Sequence, residues 1–186
     1  FASQPLTCDP DLSESYLDAL AREATQRRRE YGRPLHSIFI GGGTPTSLTP
    51  AQFQRLWNDV IEPFPRTPQV EITVEANPGT LTDELLEVFA ALPITRVSLG
   101  VQSFEAHELR SLGRIHTPKQ AHDSVIALQT AGIPQINLDL MYGLPDQTPE
   151  SWQETLAQAC ALRPAHLSCY ALILEEGTPL ARQVQA

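Results

Sequence analysis

The sequence predicts an α/β fold, a partial, TIM-like parallel (β/α) barrel with about five strands. Three observations carry this. Strand and helix signals alternate along the 186 residues. Strand ends recur roughly every 30–40 residues, the spacing of right-handed strand–helix–strand units. Polar residues or glycines gather where the strands end, which is where parallel α/β folds bind ligands.

The chain opens on a helix from Ser13 to Glu30, with Tyr16, Leu17, Leu20 and Ala24 as its apolar stripe and Gly32 and Pro34 as its stop. Ser37 to Ile40 is a short apolar run that reads as a buried strand, halted by Gly41-Gly42-Gly43. Thr49-Pro50 with Gln52 is a capping-box start, and Phe53, Leu56, Trp57 and Val60 face inward from that helix. Val70 to Glu75 alternates as a strand until the turn cluster Ala76-Asn77-Pro78-Gly79, and a helix from Asp83 to Leu92 buries Leu85, Leu86 and Phe89. Thr95 to Leu99 is the next strand, closed by Gly100, and a short helix spans Glu105 to Leu112. Thr117-Pro118 with Gln120 repeats the helix start, with Ala121, Val125 and Leu128 inward and Gly132 at the end. Ile136 to Met141 is a strand, Thr148-Pro149 opens a helix with Trp152, Leu156 and Cys160 inward, and His166 to Leu174 is the last strand. Ala181 to Ala186 has no clear partner and is expected to fray. One domain over residues 1–186 is expected, with a further strand ahead of the first helix in the intact protein.

Composition narrows the function. With 41% apolar and 19% charged residues the chain suits a globular protein. A net charge of −9 argues against a nucleic-acid or anionic-membrane surface. The cluster Arg27-Arg28-Arg29 at a helix end complements the helix dipole. No apolar run approaches the ~18 residues of a membrane span. Cys8, Cys160 and Cys169 are far apart and form no C-x-x-C pair, so a cytoplasmic, reducing compartment is the expectation, with Cys160 and Cys169 packing in the core. The five histidines have no metal-ligand spacing, and no zinc site is expected.

The polar strand ends are the candidate site. Three consecutive glycines allow close backbone approach to a ligand or serve a tight turn; they form neither a P-loop nor G-x-G-x-x-G. Glu75 and Asp139 end otherwise apolar strands. A buried charge needs a partner, so each faces a ligand, a cation, or an arginine such as Arg96 or Arg114. Gln102 follows the third strand, and Arg114 has the fork geometry to clamp a carboxylate.

Several segments together resemble one family. Phe39-Ile40-Gly41-Gly42-Gly43-Thr44-Pro45-Thr46 is similar to the glycine motif of radical S-adenosylmethionine (SAM) enzymes. Glu75-Ala76-Asn77-Pro78-Gly79-Thr80, Ser98 through Phe104, Leu112 through His116, Asn137 through Pro145 with Gln147-Thr148, Leu167 through Tyr170, and Glu176 through Pro179 follow in order. The series resembles the oxygen-independent coproporphyrinogen III oxidase-like family. Its Glu-Ala-Asn-Pro and Gly-Val-Gln-Ser-Phe variants favour the heme chaperone branch.

The resemblance implies a partial (β/α)6 barrel that binds SAM and, in the intact protein, a [4Fe-4S] cluster and heme. Gly42, Gly43 and Thr44 would meet SAM through the glycine loop, Glu75, Gln102, Arg114 and Asp139 at its other contact positions, and Ile173 from the last strand. Arg114 would pair with the methionine carboxylate, a carboxylate would accept from ribose hydroxyls, and the glycine-loop backbone would bond the methionine amino group. The family's C-x-x-x-C-x-x-C cluster motif is not in this sequence, and Cys8 alone holds no cluster. The expectation is therefore a radical SAM core incomplete at its N-terminus and without the family's C-terminal domain, inactive in radical chemistry as given. Three functions stay open: a heme chaperone with an acceptor protein, an oxygen-independent coproporphyrinogen III oxidase, and a non-catalytic barrel that binds another small molecule.

Overall fold

The structure, a computed structural model, describes residues 10–185; Cys8 and Ala186 lie outside them. Five strands form one sheet in chain order: β1 Leu35–Ile40, β2 Arg66–Ala76, β3 Arg96–Gln102, β4 Gln135–Tyr142 and β5 His166–Ala171. Every neighbouring pair is parallel, and the sheet curls into half a barrel, as the sequence predicts. The helices are α1 Pro10–Tyr31, α2 Pro50–Leu56, α3 Asp83–Ala91, α4 Ala106–Ser111, α5 Pro118–Thr130, α6 Pro149–Ala161 and α7 Pro179–Gln185.

Strand alternation sorts the side chains by face. Ile72, Val74 and Ala76 of β2, Val97, Leu99 and Val101 of β3, and Ile136, Leu138 and Leu140 of β4 are all buried on the outer face, against the helices. From the helix layer, Phe53 of α2 and Phe89 of α3 meet with ring centroids 4.8 Å apart, and neither is exposed to solvent. Of the alternate residues, Glu71, Thr73, Glu75, Arg96, Ser98, Asn137 and Asp139 are polar and line the concave face.

The helix starts follow the Thr-Pro signal. Thr49, Thr117 and Thr148 each close a capping box, with Gln52, Gln120 and Ser151 as reciprocal partners, and the proline behind each has no N–H to leave unpaired. After α2 the chain continues as a π-helical turn, Trp57–Ile61, which delivers the Trp57 indole to Glu62 Oε2 at 2.9 Å. Arg55 ties α2 to α1 through Glu14 and Asp18. Two of the three clustered arginines, Arg28 and Arg29, stand in the last turn of α1, and Arg28 also donates to the Pro63 carbonyl.

Several expectations are corrected. Tyr16 is exposed, because the stripe of α1 that packs inward, onto α2 and the π-helical turn, is Leu17, Leu20 and Ala24. β1 is an edge strand and only half buried; Phe39 is 65% exposed and faces the concave side. β3 runs on to Gln102, past the glycine that the sequence takes as its end. β5 stops at Ala171, so Ile173 is not on a strand. Cys160 and Cys169 are exposed. α6 buries Thr155 and Ala159, one residue out of phase with the predicted stripe, and Cys169 projects from an edge strand. The C-terminal segment is helical, with Ala181 buried.

Candidate functional site

The concave face encloses a cavity of about 410 Å³, within the ~300–1,000 Å³ range of small-molecule sites. Each strand contributes to it: Phe39 from β1, Glu71, Thr73 and Glu75 from β2, Arg96 and Ser98 from β3, Asn137 and Asp139 from β4, Ser168 and Tyr170 from β5. Its walls are polar because these are the alternate positions of strands whose other positions are apolar.

At the carboxyl ends the candidate residues draw together in two chains of contact. In the first, the Gly42 N–H donates to Glu75 Oε2 at 3.1 Å. Gly41 makes this approach possible. A Cβ there would stand 2.5 Å from the Phe39 ring and 2.6 Å from Glu75 Oε2, closer than real Cβ contacts allow. Gly42 and Gly43 have φ of +82° and +60°, a conformation that glycine adopts without cost. In the second chain, the Asn77 amide donates to Thr44 Oγ1 at 2.9 Å and accepts from Arg114 Nη1 at 3.2 Å. A side chain at Gly100 would collide with Asn77 Oδ1 at 2.9 Å.

Gln102 is buried at the tip of β3 with φ of +67°, strained for a non-glycine residue, where the β3–β4 register shifts at a bulge. Its Oε1 accepts the Tyr170 hydroxyl at 2.7 Å. The segment after it is pinned from below: Glu108 is fully buried and accepts from Ser103 Oγ at 2.5 Å, Gln147 Nε2 at 3.1 Å and Ser151 Oγ at 2.7 Å. Asp139 accepts from Ser98 Oγ at 2.9 Å and Asn137 Nδ2 at 2.8 Å. Among the described residues neither Glu75 nor Asp139 forms an ion pair with Arg96 or Arg114, so the salt-bridge reading of these carboxylates is not what the structure contains.

The electrostatics couple these groups. Burial lowers the Arg114 pKa from its ordinary value, and the nearby Tyr170 and Asp139 oppose that. Burial raises the Tyr170 phenol, Asp139 adds to it, and the Gln102 bond works against it. His116 is lowered by burial; its bond to the Val101 carbonyl opposes the shift, and Arg114 adds to it.

Of the residues singled out in the sequence, Gly42, Thr44, Glu75, Gln102, Arg114 and Asp139 each join one of these contacts, and Gly43 continues the glycine loop. Ile173 stands apart, 80% exposed beyond the end of β5. Sequence reasoning missed Asn77, Tyr170 and Asn137 as site-forming residues. The signal for Tyr170 and Asn137 was the period-two alternation within segments that the sequence reads as strands without assigning their faces.

The donor set suits a small zwitterionic ligand, which S-adenosylmethionine is. Arg114 has N–H groups beyond the one given to Asn77, Glu75 has a second oxygen without a protein partner among the described residues, and the glycine loop leaves open space beside its backbone. An iron–sulfur cluster is different. Cys160 and Cys169 are exposed, Cys169 alternates with the inward Ser168 and Tyr170, and no three His, Cys, Asp or Glu side chains among the described residues gather to hold a metal.

Comparison with known proteins establishes the family and the fold. The family model of the radical SAM superfamily matches residues 9–159. The chain belongs to the radical SAM superfamily. Heme chaperone HemW of Lactococcus lactis is 39% identical over 178 residues, covering 96% of this chain and 46% of the relative. HemW of Escherichia coli is 43% identical over 147 residues, covering 79% and 39%. Among solved structures, coproporphyrinogen III oxidase HemN of Escherichia coli, described as a radical SAM enzyme, superposes with a TM-score of 0.84 at 33% identity over 92% of this chain and 40% of that one. The chain thus spans less than half the length of these relatives. The superfamily implies SAM and a [4Fe-4S] cluster as cofactors. Among the described residues no helix is long and apolar enough to cross a membrane.

Proposed function

We propose that this chain is the SAM-binding core of a heme chaperone of the HemW kind. The observation that carries the reading is that Glu75 and Asp139 line one polar concavity, with the Gly42 loop bonded to Glu75, Gln102 bonded to Tyr170 on its wall, and Arg114 near Tyr170 and Asp139. The identity to HemW proteins supports it further. In the superfamily, SAM would supply radical chemistry when bound. The residues of this chain bind and orient it. Arg114 takes the methionine carboxylate with a charge-assisted pair, Glu75 and Asp139 accept from hydroxyl or amino donors, and the Gly42–Gly43 backbone allows the ligand to lie close. Ile173, exposed beyond the end of β5, would have to be met by the ligand outside the cavity. Heme, and a cytoplasmic acceptor protein for it, belong to the whole protein.

Saturation-transfer NMR of the chain with SAM tests the first part, since it detects even millimolar binding. Transfer to the adenine and methyl protons, reduced roughly tenfold in affinity by Arg114→Ala, is the expected result. No transfer at all sinks the cofactor reading. The HemN likeness favours a second reading, oxidative decarboxylation of coproporphyrinogen III. For the intact protein, a heme Soret band without decarboxylation supports the chaperone, and decarboxylation supports the oxidase.

A further inference from the structure

Asn137 lies in the middle of the inner face of β4, 1% exposed, and all four hydrogen-bonding positions of its amide are used. Nδ2 donates to Ser98 Oγ at 2.7 Å and to Asp139 Oδ1 at 2.8 Å. Oδ1 accepts from His166 Nδ1 at 2.5 Å and from Ser168 Oγ at 3.0 Å. Ser98 Oγ in turn donates to Asp139 Oδ2 at 2.9 Å.

The direction of the ladder follows from one group. Asp139 Oδ1 accepts from the amide nitrogen, so the amide carbonyl faces β5. His166 therefore carries its proton on Nδ1. Hydrogen bonds run one way, from His166 and Ser168 through Asn137 to Ser98 and Asp139, across three strands. Both Asp139 oxygens are gripped from within the sheet, and Asp139 lines the cavity.

We propose that Asn137 is a positioning residue, which with Ser98 holds the Asp139 carboxylate in a single orientation toward the concave site before any ligand arrives. The proposal rests on the reading of Asp139 as a cofactor contact. Backbone pairing already sets the register of Ser98, Asn137 and His166, so the sheet does not need an amide here. An acid in a binding cavity does need one, because a free aspartate rotamer must be ordered on binding and a fixed one need not be.

Asn137→Asp keeps the shape and the acceptor for His166 and Ser168 but removes both donated bonds and sets a second carboxylate beside Asp139. A ligand-free crystal structure of this variant is expected to show the Asp139 carboxylate rotated away from Ser98; an unmoved Asp139 overturns the proposal. In SAM titrations, Asn137→Asp is expected to weaken binding roughly tenfold in the natural chain and to add no further loss to Asp139→Asn. Equal losses in both backgrounds also overturn it. If Asn137→Asp fails to fold, Ser98→Ala, which removes one of the two grips, carries the same structural and titration tests. A rotated Asp139 together with a natural chain that binds no SAM leaves the positioning role standing and removes the cofactor reading instead.

Discussion

The Tyr170 hydroxyl donates to Gln102 Oε1 across 2.7 Å, joining β5 to β3 over the concave face of β4. It holds a glutamine that has left ordinary backbone space, at φ of +67°, in a buried position. Tyr170→Phe leaves that acceptor without its partner and is expected to cost about 1–3 kcal/mol in urea unfolding. The same residue sets an alkaline limit. Burial raises its folded pKa above the ordinary 10.0, so the unfolded chain loses the proton first. Its stabilising contribution is complete below pH 10 and declines as pH rises toward the folded value. Tyr170→Phe is expected to flatten that decline in urea midpoints measured from pH 9 to 11.

His116 sets the corresponding acid limit. Its folded pKa lies below the ordinary 6.5, with burial as the main cause, so the unfolded state takes up the proton first as pH falls. The contribution of this group is whole above pH 6.5 and is lost progressively as pH drops toward the folded value. Urea midpoints between pH 7.5 and 5 are expected to fall more steeply in the natural chain than in His116→Gln.

Gly41→Ala places a methyl where Phe39 and Glu75 now stand. Glu75 is expected to swing out and release the Gly42 N–H, and the amide resonance of Gly42 is expected to lose its low-field hydrogen-bonded shift in the NMR spectrum. SAM affinity falls with it under the proposed function. An unchanged Gly42 resonance would show that the loop does not depend on this approach.

Phe89 is fully buried against Phe53 between α3 and α2. Phe89→Ala is expected to destabilise the chain by about 3–5 kcal/mol, from lost transfer energy and the cavity left behind. Calorimetric melting checks this. Thr148→Ala, which removes one exposed cap, is expected to cost only about 1 kcal/mol.

These contrasts show why some features were legible in the sequence. The Thr-Pro-x-Gln starts at Thr49 and Thr117 work within three residues, and local sterics and capping bonds decide them almost alone. The Gly41–Gly43 turn and the carboxylates at strand ends are equally local. By contrast, Cys160 misled because one residue's rotation on α6 separates a core position from solvent, and the apolar count did not resolve it. Glu108 gave no sign of its burial, because the three groups that satisfy it come from Ser103, Gln147 and Ser151.

The sequence by itself determined the alternation of strand and helix, the helix starts, and which residues would crowd the carboxyl ends of the strands. Their periods and turn chemistry act over a few residues, within reach of local energetics. Only the tertiary structure decided that the inner face gathers side chains from all five strands, that Asn77 links Thr44 to Arg114, and that Asn137 grips Asp139. The first two join groups that the register and curl of a parallel sheet bring together across more than thirty positions of chain. In the third, two neighbours on one strand owe their fixed geometry to Ser98 and His166 on the strands either side.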